Sequence, residues 1–221
     1  MSVGRTAHQD LEIHIPGVML HGDIVVPEAA QGVVLFAHGS GSSRHSPRNR
    51  SVAAELQRAG LGTVLVDLLT PKEERLDART GQLRFDIRLL GARVIALTDW
   101  LGQHKLTAAL RVGLFGASTG AAAALVAAAA RPGSIFVVVS RGGRPDLAGE
   151  LLSLVRQPTL LIVGERDEVV IELNRKALQQ LSAETRLVIV PGATHLFEEP
   201  GALEQVARLA CDWFVEHLGP K

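Results

Sequence analysis

Residues 110–125 read Leu-Arg-Val-Gly-Leu-Phe-Gly-Ala-Ser-Thr-Gly-Ala-Ala-Ala-Ala-Leu, and this stretch constrains the rest of the chain more than any other. An apolar run through Phe115 meets a Gly-x-Ser-x-Gly pentapeptide at Gly116, Ser118 and Gly120, and alanines follow without a gap. The pattern is strand, sharp turn, helix. A side chain held at the top of such a turn needs neighbours without bulk, which the two glycines supply, while Ala121 to Ala124 let the helix lie close to a sheet. Ser118 is therefore a candidate nucleophile, with the Thr119 amide and the helix N-terminus beside any oxyanion that forms. The plainer alternative is a serine that caps a helix.

The flanking sequence repeats the alternation. Residues 11–15 and 20–26 read as strands around Pro16-Gly17, an antiparallel edge hairpin, with residues 1–10 a loosely held polar segment ahead of it. Residues 32–37 form a continuous apolar run, as expected of a strand buried on both faces, and end in His38-Gly39-Ser40-Gly41. A helix from Pro47 stops at Gly60, and residues 63–69 give another buried strand. Residues 70–82 are charged and aperiodic and are expected to be an exposed loop, followed by a long helix over 83–101. Beyond the Ser118 segment come a strand at 135–139, a short helix at 146–155, a strand at 158–163, a helix at 170–181, a strand at 186–190 and a closing helix at 202–218. Strands and helices alternate this way in a mostly parallel sheet covered on both faces, so the expected fold is a single α/β domain over residues 1–221. Ligands then bind at the carboxyl ends of the strands.

Composition narrows the partners. With 23 basic and 23 acidic residues, nothing in the overall field favours nucleic acid or an anionic membrane. The polar N-terminus does not resemble a secretory signal, and the alanine run at 121–130 is too short to span a bilayer. The single cysteine, Cys211, lies in an apolar helical pattern and reads as an inert, buried thiol. A cytoplasmic monomer or homodimer acting on a small molecule is expected. No metal cluster, dinucleotide fingerprint or phosphate loop is present, so no cofactor and no metal is implied.

A serine hydroxyl is a weak nucleophile at neutral pH and needs a base within reach and an acid that holds the base's tautomer. His195 follows the last strand on a loop opened by Pro191-Gly192 and is the candidate base. Asp167 follows the strand ending at Val163 and is the candidate acid, with Glu165 as its rival. Read otherwise, His195 is a surface histidine and Asp167 a helix cap. The order Ser, Asp, His, each just after a strand on one sheet edge, is the α/β-hydrolase order.

Through these motifs the chain resembles the α/β-hydrolase superfamily, in particular its small, lidless dienelactone hydrolase-like members. The likeness runs from Val33-Val-Leu-Phe-Ala-His-Gly-Ser-Gly through Gly-Ala-Ser-Thr-Gly to Val163-Gly-Glu-Arg-Asp and Gly192-Ala-Thr-His. It implies that Ser118 attacks, His195 serves as base and then acid, and Asp167 orients His195. It also implies an oxyanion hole from the Thr119 amide and a donor in the His38-Gly39 loop, Ser40 or Gly41, with His38 itself more a brace than a proton carrier. Dienelactone hydrolases proper carry a cysteine nucleophile where this chain has Ser118, so a serine esterase or lactonase is the expectation. Some hydrolases of this look are fused to phosphoribosyltransferase domains, for which 221 residues leave no room.

Residues 140–157 hold a short helix at most, which implies an open site with no cap or lid domain. Arg44, His45 and Arg48 on one loop, with Arg141 and Arg144 on another, could make its mouth positive and favour an anionic ester or lactone. The alternative is that these arginines solvate the rim or pair with Asp146, Glu73 or Glu74. Two other functions use the same residues: an acyltransferase or perhydrolase, in which the acyl-enzyme is intercepted by an alcohol or peroxide, and a catalytically silent binding protein on this fold.

Overall fold

The structure is a computed structural model that describes residues 6–39 and 41–218, so Ser40 and the two ends of the chain lie outside the described residues. Eight strands form one sheet: β1 (Ala7–Ile15), β2 (Val18–Val26), β3 (Gly32–Ala37), β4 (Gly62–Val66), β5 (Arg111–Ala117), β6 (Ile135–Arg141), β7 (Thr159–Gly164) and β8 (Thr185–Val190). Their spatial order is β1-β2-β4-β3-β5-β6-β7-β8. The β1–β2 hairpin and the β2–β4 pair are antiparallel, and every other neighbour is parallel. This is the α/β architecture that the alternation predicts. One correction falls at the start, where residues 7–10 are not loosely held but belong to β1 and pair with residues 23–26 of β2.

The described residues form six α-helices: α1 (Pro47–Arg58), α2 (Pro71–Thr80), α3 (Ile87–Leu101), α4 (Thr119–Ala130), α5 (Glu168–Gln180) and α6 (Ala202–Leu218). Because strand side chains alternate, each central strand feeds two cores. In β3, Val33, Leu35 and Ala37 face one layer with α3, α4 and α5, while Val34 and Phe36 face the other with α1 and α6. Phe36 and Phe115 meet in that second layer with ring centroids 4.8 Å apart. In the first layer the small residues of α4 do what the sequence required. Ala121 to Ala124 are fully buried, and Gly91 of α3 lies so close to Val126 that a Cβ there would stand 2.7 Å from its side chain.

Two stretches depart from the expected elements. Residues 70–82 are not a loop: α2 occupies most of them, opened by a capping box between Thr70 and Glu73 and closed by Gly81 in the left-handed conformation. The long helix expected over 83–101 is broken at Asp86, which caps α3 after a single 3-10 turn at Leu83–Phe85. Between β6 and β7 there is only a kinked 3-10 run, Pro145–Leu154, bent at Gly149, and no cap domain among the described residues. No helix among them is long and apolar enough to cross a membrane.

Candidate active site

Ser118 stands between β5 and α4 with φ +51° and ψ −123°, a conformation costly for any residue but glycine. The surrounding backbone holds it there. Its N–H donates to the Arg141 carbonyl at 3.3 Å, and its own carbonyl accepts from Arg144 N–H at 3.0 Å and Ala121 N–H at 3.1 Å. The flanking glycines are required by space. A Cβ at Gly116 would lie 2.4 Å from Ala121 Cα, one at Gly120 would lie 2.1 Å from the Ala37 carbonyl oxygen, and one at Gly39 would lie 2.7 Å from Ser118 Cβ. Ser118 makes no side-chain cap hydrogen bond to α4, which removes the capping reading.

Asp167 and His195, from the loops after β7 and β8, stand together: His195 Nδ1 is 2.6 Å from Asp167 Oδ2. With Nδ1–H donated to the carboxylate, Nε2 is the nitrogen left to accept a proton. Glu165, the rival acid, does something else. Its carboxylate accepts Gly192 N–H at 2.7 Å and pins the start of the His195 loop, while Glu199 accepts Thr194 N–H at 3.0 Å one residue before the histidine. A hydrogen bond from Thr194's side chain, and then that backbone one, hold the Glu199 carboxyl below its usual range. On the other side Gly142, with φ +50°, lies against the imidazole, so that a Cβ there would be 3.5 Å from two ring atoms.

The loop after β3 supplies the candidate oxyanion donors. Gly41 is described and Ser40 lies outside the described residues. His38 is buried and fully engaged: Nδ1 donates to the Gly39 carbonyl at 2.9 Å, and Nε2 accepts Leu68 N–H at 2.9 Å. Burial pushes its pKa below the ordinary histidine value, so the neutral ring is a brace between this loop and the end of β4. Thr119 opens α4, with its amide at the positive end of the helix dipole.

Ser118, Thr119, Gly39 and His195 line one cavity of about 380 Å³, together with Arg48, Arg141 and Arg144. The arginines differ sharply in their pairing. Arg144 binds Asp146 in a fork at 2.7 and 2.8 Å, Arg48 reaches Glu198 at 3.0 Å, and Arg44 turns to Asp67 and Asp23, away from the cavity. His45 is beside Arg50 and likewise does not line it. Arg141 is 9% exposed, and its Nε and Nη1 have no hydrogen-bond partner. Its guanidinium carbon stands 6.0 Å from the Phe197 ring centroid. Burial, and then the Arg48 charge, push its pKa down to about 10. Sequence reasoning missed the apolar side of this cavity, Phe85, Val170 and Leu196, because each sits outside the motifs. Among the described residues no group of three or more His, Cys, Asp or Glu could hold a metal ion.

Similar proteins share the fold and much of the sequence. A dienelactone hydrolase from Anabaena variabilis of known structure is 57% identical and superposes with a TM-score of 0.94, over 96% of this chain and 98% of that one. A Mycobacterium tuberculosis protein that carries the provisional name phosphoribosyl transferase is 58% identical over 96% of this chain, but over only 47% of its own length. The chain thus spans about half the length of that curated relative. A Bradyrhizobium protein, provisionally named a 2-oxo-3-(5-oxofuran-2-ylidene)propanoate lactonase, is 26% identical over 68% of this chain and 67% of its own. The model of the dienelactone hydrolase family matches residues 20–217, and the chain belongs to that family of hydrolases.

Proposed function

We propose that the chain is a serine hydrolase that opens small, anion-bearing esters or lactones through an acyl-enzyme. The observation that carries this reading is the 2.6 Å contact between Asp167 and His195, with His195 and Ser118 lining the same cavity. His195 Nε2 takes the Ser118 hydroxyl proton as Oγ bonds to the carbonyl carbon, and Asp167 stabilises the imidazolium. The oxyanion is held by the Thr119 amide and a donor of the loop after β3, each worth roughly 3 kcal/mol in such sites. The carbon–oxygen bond to the leaving group then breaks, and the proton passes from His195 to that oxygen. Water, deprotonated by the same imidazole, attacks the acyl carbon; the bond to Ser118 Oγ then breaks, His195 returns the proton to that oxygen, and the acid leaves.

The anionic group is the part that Arg141 supports. Arg141 lines the cavity, and a guanidinium this buried, with two nitrogens that lack a hydrogen-bond partner, is costly unless a ligand's charge offsets it. The relative named for lactonase action on a propanoate is in keeping with a carboxylate there. A reducing, cytoplasmic setting suits the one cysteine, a half-buried thiol whose pKa is pushed up by burial.

The test is a fluorophosphonate probe followed by an ester and lactone panel. Stoichiometric labelling of Ser118, with turnover abolished in Ser118→Ala, is the expected result. Turnover that survives Ser118→Ala, or a Ser118 that takes no label, sinks the assignment.

A further inference from the structure

A second cavity, of about 200 Å³, lies beside the first and shares Gly39, Ser42 and Thr119 with it. It is lined by neither Ser118 nor His195; its walls are Leu69, Leu90, and Asp77, Ala78 and Arg84 from the segment that carries α2. Nothing in the catalytic scheme above uses it.

From the chemistry of the tetrahedral carbon we infer that this second cavity holds the acyl limb of the substrate, while the arginine-lined cavity holds the leaving alcohol and its anionic group. The inference rests on the serine-hydrolase reading. Four bonds leave that carbon: one to Ser118 Oγ, one to the oxyanion at Thr119, one to the departing oxygen and one to the acyl chain. The departing oxygen must lie within hydrogen-bond reach of His195, since the imidazole protonates it. The leaving group therefore goes where His195 is. The acyl chain is left with the direction that passes the oxyanion donors, and Gly39, Gly41 and Thr119 are where the second cavity opens.

Charge sorts the two limbs in the same way. Arg48 and Arg141 lie on the His195 side, whereas the second cavity carries Glu74 at its wall and an Asp77 already occupied by Arg84 at 2.7 Å. An anionic acyl chain would meet carboxylates there; a short neutral one meets Leu69 and Leu90. At about 200 Å³ the cavity is the smaller of the two, which suits a short acyl chain. The wall is firmly held. Glu73 of α2 is gripped by Arg93 of α3 at 2.6 and 2.8 Å, and Arg84 ties the chain after α2 back to Asp77.

Two comparisons test this. In the first, kcat/KM is measured for phenyl hexanoate and phenyl acetate with the wild type, Ala78→Phe and Leu69→Ala. Ala78 is exposed at the cavity wall, so a phenylalanine there fills space without burying new surface in the core. The hexanoate-to-acetate ratio is expected to fall at least tenfold in Ala78→Phe and to rise severalfold in Leu69→Ala. In the second, 4-acetoxybenzoate, with its carboxylate on the leaving group, is compared with monophenyl glutarate, with its carboxylate on the acyl chain. The wild type is expected to favour the former over phenyl acetate and to show no such gain for the latter, and Arg141→Gln is expected to erase the preference. An acyl-length ratio unmoved by both cavity variants, or a preference for the glutarate, overturns the assignment of limbs while Ser118-dependent turnover leaves the hydrolase reading standing. Absence of Ser118-dependent turnover with every ester overturns both.

Discussion

Arg141 holds a charge where the fold gains nothing from it. It is 9% exposed with no acidic partner among the described residues, and its lowered pKa has burial as the first cause. A folded pKa depressed to about 10, well below that of the unfolded chain, means that the unfolded chain binds the proton more tightly, so the cost is present at neutral pH and relieved only as pH rises above the folded value. Replacing it with a similar-sized apolar side chain, Arg141→Met, should raise stability by about 1 to 3 kcal/mol in a denaturant titration. The same variant should lose the preference for anionic over neutral esters, and in the wild type that preference should fade as pH approaches 10. A variant less stable than the wild type would mean that the guanidinium is holding the site together. The burial of Arg141 was not legible in the sequence, where Ser140-Arg141-Gly142-Gly143-Arg144 reads as a solvated loop. Arg144 took the pairing with Asp146 that the plainer reading expects, whereas Arg48 and Arg44 pair with Glu198 and Asp67 and not with Glu73 or Glu74.

His38 shows the converse case, a buried titratable group held as a brace between two loops. Its ring is neutral, donating to Gly39 and accepting from Leu68. Because burial lowers its folded pKa below 6.5, it contributes stability that is full above pH 6.5 and lost as pH falls through the folded value. His38→Gln should therefore show a flatter loss of stability on acidification from pH 6.5 than the wild type, followed by chemical denaturation at a series of pH values. If the two slopes coincide, the ring is not the neutral strut described here.

At the scale of elements, what the sequence displayed was apolar. β3, β5, β6 and β7 announce themselves as buried runs, and the polar residues at their ends had to gather at one edge of a parallel sheet. That is why Asp167 and His195 could be paired in advance. α2 escaped because Pro71-Lys-Glu-Glu-Arg-Leu-Asp-Ala-Arg-Thr80 has almost no apolar stripe, with Asp77 its only buried residue. Its stability comes instead from polar contacts at its ends and from Arg93, and the signals for those were present as Thr70, Glu73 and Gly81. A helix held this way should be sensitive to its cap. Thr70→Ala removes the hydroxyl that accepts Glu73 N–H and should cost about 1 kcal/mol, seen as a lowered denaturation midpoint with unchanged slope. No change in midpoint would assign the helix to packing after all.

At the scale of the whole molecule, the reactive groups are anchored in opposite layers. Ser118 begins α4, which packs with α3 on one face of the sheet, whereas the loop bearing His195 runs from Ala193 to Phe197, both buried with α6 on the other face. The sheet is the element that both layers share, so their relative position is as good as the packing on each side of it. Phe197 joins the site to the second layer directly: it is 1% exposed, has φ +57°, and lies two residues after His195 with Arg141 against its ring. Phe214 of α6 is as fully buried in the same layer but sits deep, against Gly113 of β5. Truncating either to alanine should cost about 3 to 5 kcal/mol, since each leaves a cavity the size of an aromatic ring. The consequences for catalysis should differ. Phe214→Ala should lower activity only by the fraction of molecules unfolded, while Phe197→Ala should also lower kcat of the folded fraction about tenfold or more, because His195 loses the packing that fixes its loop. Denaturation curves set beside active-site-titrated kcat values separate the two effects, and equal kcat per titrated site in both variants would show that Glu165 and Glu199 hold the His195 loop without help from the core.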